Sequence, residues 1–68
     1  MIIKMTTYDR ARRIDSLLHH AIAGKDIYKC KRLIPKIQEL NLEGIPYMKQ
    51  VLFHKKQQAE DIIQAHNE

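Results

Sequence analysis

Lys25, Lys29, Arg32 and Lys36 stand at i, i+4, i+7 and i+11. On one helix that spacing makes a continuous stripe. Cations in such a row neutralise anions. Only Lys36 has an acid at helical contact spacing, Glu39 at i+3. Like charges at i,i+4 cost a helix a few tenths of a kcal/mol per pair. The row is therefore carried at a small cost, or it is neutralised from outside the chain. One outside partner is a nucleic acid, DNA or RNA. Each phosphate contact would release counterions and make binding salt-dependent. Arg10 and Arg13 on the preceding segment would extend that surface. An acidic protein surface is a second partner, and a solvated helix exterior is the plain reading.

Phe53 is the next group of interest. It lies about 100° around a helix from Leu52, off the apolar stripe, with Lys49 at i−4 and Lys56 at i+3. An aromatic among lysines can stack on an unpaired base or anchor a subunit or partner interface. In a chain this short of core the interface reading is favoured, with Tyr28 and Tyr47 as companion interface residues.

Other chemistries find little support. The histidines, His19, His20, His54 and His66, include no His-x3-His pair, and no Cys-x2-Cys accompanies them. No zinc site is expected. Ser16 is the only serine, and no nucleophile elbow surrounds it. Gly24 and Gly44 are the only glycines, too few for a phosphate-cradling loop. No enzyme activity and no cofactor are expected. Cys30 is unpaired and sits on an apolar stripe, as a buried small hydrophobe in a reducing compartment would. No signal-peptide core or membrane-length apolar run is present, so a cytoplasmic location is expected.

These residues need elements to position them. Sixty-eight residues make one domain with a marginal core. With no disulfide and no metal expected, homo-oligomerisation, most simply a dimer, is the remaining support. The net charge of +4 is uneven. Residues 10–56 hold eleven Lys/Arg against four acids, and residues 57–68 hold three acids and no Lys/Arg.

A first helix is predicted over 7–23. Thr6 is its N-cap and Asp9 closes a capping box, with Asp9 also facing Arg12 and Arg13. Gly24 is expected at C′. A second helix is predicted over 27–40 behind an Asp26 cap, kinked at Pro35. If the helix broke there instead, Lys36 would leave the stripe. A third runs over 46–66 with Pro46 at N1. Its basic first half and acidic second half oppose the helix dipole, and an antiparallel partner would rationalise that order.

The expected fold is all-α, a three-helix bundle or helical hairpin completed by dimerisation. Its expected core is Ile14, Leu17, Leu18, Ala21, Cys30, Ile34, Ile37, Val51, Leu52, Ile62 and Ile63. Residues 1–5 are a loose N-terminus, and Met5 offers an alternative start. A helix-turn-helix over Cys30–Gln57 fits poorly, because its turn is too long and Leu40 stands where a small residue is wanted. Size and charge alone resemble the short regulatory reading frames of phages and plasmids. The expected function is a non-catalytic regulatory binding protein with a nucleic-acid face. The alternative is a protein-binding module or small inhibitor.

Overall fold

The computed structural model describes residues 6–67. Residues 1–5, expected as a loose end, lie outside it. Three helices form, α1 (Thr7–Ala23), α2 (Ile27–Gln38) and α3 (Pro46–Asn67), and each packs against the other two. The described residues contain no strand. The all-α three-helix bundle expected from the periodicity is the fold observed.

α1 starts where its cap dictates. The Asp9 N–H donates to Thr6 Oγ1 at 3.1 Å, and the Thr6 N–H donates to Asp9 Oδ2 at 3.3 Å. This reciprocal pair satisfies two amides that the helix itself leaves without acceptors. It also occupies the Asp9 carboxylate, and neither Arg12 nor Arg13 forms an ion pair with it. Arg12 lies instead over the Tyr8 ring, 5.9 Å from its centroid.

The end of α1 departs from expectation. Gly24 is the C-cap, in right-handed conformation at φ −89°. The left-handed residue is Lys25, at φ 53°. The Asp26 N–H donates to the Ala21 carbonyl at 2.8 Å and the Lys25 N–H to the Ile22 carbonyl at 3.1 Å. That bond pair is the Schellman motif, displaced one residue past the glycine. A side chain in this conformation costs about 1 kcal/mol relative to glycine. Lys25 therefore precedes α2 and is not part of its stripe.

Asp26 Oδ1 accepts from the Lys29 N–H at 3.1 Å and caps α2. The helix runs unbroken through Pro35 and ends at Gln38, two residues earlier than predicted. Proline has no N–H, so the Lys31 carbonyl loses its i+4 donor. Both residues are exposed, which leaves that carbonyl to water. Lys36 accordingly stays on the helix.

Residues 39–45 join α2 to α3. Asn41 Oδ1 accepts from the Glu43 N–H at 3.3 Å, the Ile45 N–H donates to the Leu42 carbonyl at 3.0 Å, and Leu42 is buried beneath the turn. This connection exceeds the three or four residues of a helix-turn-helix, so that motif is absent. α3, about 33 Å long, outlasts α2, about 18 Å.

The core comprises Ala11, Ile14, Leu18, Ala21, Cys30, Leu33, Ile37, Leu42, Met48, Leu52 and Ala59. Leu17 was expected there and is instead 48% exposed. It sits on the edge of the α1 stripe, where the α1–α2 seam opens to solvent. Ile34, Val51, Ile62 and Ile63 are only partly buried. Ile63 packs against the edge of the core, and Ile62 lines a recess beside the α1–α2 turn with Lys25 and Ile27. Two small inward residues, Ala11 and Ala59, are fully buried alongside Leu18, Cys30 and Leu52 and let the helices approach closely.

Candidate functional site

On α1 the core side is set by Ala11, Ile14, Leu18 and Ala21. Helical geometry then puts Arg10, Arg13 and Leu17 on one flank and Asp15 and His19 on the other. On α2 the core side is set by Cys30, Leu33 and Ile37. Lys29, Arg32 and Lys36 fall together on one flank. These two cationic flanks meet. Arg10, Arg13 and Leu17 from α1 and Leu33, Lys36 and Leu40 from the α2 side line one open groove, with Glu39 at its edge. Arg10, Arg13 and Lys36 thus share one groove, and helical spacing puts Lys29 and Arg32 on the same flank of α2 as Lys36. The sixth basic residue singled out in the sequence, Lys25, stands in the α1–α2 turn and lines a separate recess with Ile27, Asp61, Ile62 and His66.

The cations of this face have no ion-pair partner, as is also true of Arg12, Lys25, Lys31, Lys49 and Lys55 elsewhere among the described residues. Lys56–Glu60, at 3.7 Å, is the one ion pair among the described residues. Arg10, Arg13, Lys29, Arg32 and Lys36 are all exposed, and no carboxylate of the described residues lies within 4.0 Å of them. Glu39 was expected to face Lys36; it shares the groove without pairing. The Arg32 guanidinium lies 5.8 Å from the centroid of the Tyr28 ring, and Tyr28 remains 70% exposed.

Leu17 is the groove residue that the sequence reading missed. Its signal was present. It continues the Arg10–Arg13 row at i+7 and i+4, so a basic face including both arginines had to include it.

The expected interface aromatics are all exposed but do not form one patch. Phe53, 55% exposed, lines a recess over the α2–α3 turn with Lys49, Lys56, Leu40 and Leu42. Tyr47, 74% exposed, stands in the first turn of α3. Tyr28 stands on α2 beside the basic row.

The opposite flank of α1 faces α3. There Lys55 Nζ donates to His19 Nδ1 at 2.9 Å, which explains how a lysine is tolerated within the inward stripe of α3. One oxygen of Asp15, Oδ1, is buried on α1 without a hydrogen-bond partner. Cys30 is fully buried, and its thiol is pushed above its ordinary pKa, first by burial and then by the Asp26 charge. That environment makes a poor nucleophile.

Among the described residues, no three His, Cys, Asp or Glu side chains gather closely enough to hold a metal ion. No described helix is long and apolar enough to cross a membrane. No family model matches the chain, and neither a curated protein nor a solved structure is similar to it.

Proposed function

We propose that this chain is a small non-catalytic regulatory protein whose α1–α2 face binds nucleic acid. One observation carries the reading. Arg10, Arg13 and Lys36 from two helices line one groove, Lys29 and Arg32 lie on the same flank of α2 as Lys36, and none of the five has a carboxylate partner among the described residues. Such a face raises the local concentration of polyanions and releases counterions when phosphates dock. Arginine at three of the five positions suits bidentate contact with phosphate oxygens.

The test is binding of a labelled oligonucleotide to the full chain and to a K29E/R32E variant, with helicity followed by circular dichroism. Both residues are exposed, so the fold should be retained. Binding should be abolished in the variant. Unchanged binding would remove the basic face from consideration.

A second reading rests on Phe53. Phe53 stands half in solvent beside a recess floored by Ile37, Leu40 and Leu42 and rimmed by polar and charged groups, and exposed aromatics of this kind are common anchors of protein interfaces. Here the occupant is a partner protein or a second copy of the chain forming a homodimer. F53A should weaken such a complex and leave oligonucleotide binding intact.

A further inference from the structure

We infer that the nucleic acid held by the basic face is single-stranded, with an unpaired base stacked on Tyr28. This inference rests on the proposed nucleic-acid reading and narrows it.

Tyr28 is 70% exposed and stands on the solvent side of α2, one turn before Arg32. The Arg32 guanidinium lies against its ring at 5.8 Å. The ring is thus steadied by an intrachain cation while most of the side chain remains open. Along α2, Tyr28 and Lys36 are eight residues apart, about 12 Å. That is the rise of about three to four stacked nucleotides. A strand lying along α2 can place phosphates against Lys29, Lys36 and the groove arginines while one base turns onto Tyr28. Stacking of this kind is sequence-tolerant and changes affinity about 5- to 150-fold per base.

A duplex fits the same surface poorly. Its bases are already stacked inside, so an aromatic on the phosphate-binding face has no base to meet. Reading a duplex would require α2 in the major groove with base-edge groups pointing outward. The outward side of α2 around Arg32 presents Tyr28, Lys31 and Pro35, followed by the Glu39 carboxylate. Lys31 and Arg32 suit a guanine edge, but no Asn or Gln there suits adenine.

The experiment measures affinity of the full chain at fixed salt for three probes of equal length: an oligouridylate, an oligodeoxythymidylate and a mixed-sequence DNA duplex. The single strands should bind at least about tenfold tighter than the duplex. Y28A should weaken single-strand binding about 5- to 150-fold and leave the duplex unaffected. Y28W should restore it and Y28L should not. The ribose and deoxyribose arms show whether the 2′-hydroxyl contributes. Duplex binding as tight as single-strand binding, or a neutral Y28A, would overturn the inference while leaving the basic face standing. Failure of all three probes would overturn both.

Discussion

The two flanks of α1 carry polar groups of similar kind to opposite ends. On the α3 side, Lys55 donates to His19 across the seam between the two helices. On the α2 side, Arg10, Arg13 and Lys36 line a groove with Ile14, Leu17, Leu33 and Leu40, and none of the three pairs with Glu39, the acid at its edge. The sequence offers both flanks comparable charge. The fold gives one a hydrogen-bond partner across the seam and leaves the other open. A charge satisfied inside the chain contributes a little to stability. A charge left open contributes nothing to the fold and is free to act on a ligand.

Apolar truncation gives the largest contrast. Leu52 is fully buried against the bundle centre, and L52A should cost about 2–5 kcal/mol in urea denaturation. Leu17, 48% exposed in the groove, should cost under about 1 kcal/mol as L17A. A severe L17A would mean that the α1–α2 seam is a core and not an open groove. Charge reversal comes next. K29E/R32E should lower oligonucleotide affinity by about a hundredfold or more while unfolding stability stays within about 0.5 kcal/mol of the native chain.

Replacing Lys25 by glycine should stabilise the fold by about 1 kcal/mol, because the left-handed backbone no longer carries a side chain. G24A should be close to neutral, since an added Cβ meets only ordinary van der Waals contact. The reverse ranking would place the left-handed residue at the glycine.

Cys30 gives a pH signature. Its thiol holds a proton to higher pH in the fold than in the unfolded chain. The stabilisation is complete below the unfolded thiol's range, near pH 8.5, and declines as pH rises through the folded value. Denaturation midpoints should therefore fall across alkaline pH in the native chain, and C30A should flatten that part of the fall. The smallest effect belongs to Lys56–Glu60, an exposed i,i+4 pair. E60Q should change stability by about 0.5 kcal/mol or less.

Much of the fold was legible because the signals were local. Thr6 with Asp9, Asp26, and Pro46 fixed three helix starts by capping chemistry that needs no tertiary partner. Helical spacing likewise put Lys29, Arg32 and Lys36 on one flank, and the structure keeps them there. What failed depended on neighbours. Gly24 looked like the left-handed cap, yet the chain turns one residue later because the Asp26 and Lys25 amides reach back to Ala21 and Ile22. Leu17 looked like core because hydropathy does not say where two helices part. The bond that accommodates Lys55 was hidden because its acceptor, His19, lies 36 residues away in the chain. The meeting of Arg10 and Arg13 with Lys36 required the hairpin itself, which no single helix reveals.

The salt dependence of single-strand affinity tests the open basic face most directly. Five cations engaging phosphates should give a slope of about −3.5 in log affinity against log salt. K29Q/R32Q should reduce it to about −2.1, and K49Q/K56Q on α3 should leave it unchanged. Equal slopes in all three proteins, or a slope near zero in the native chain, would contradict the assignment of binding to the α1–α2 face.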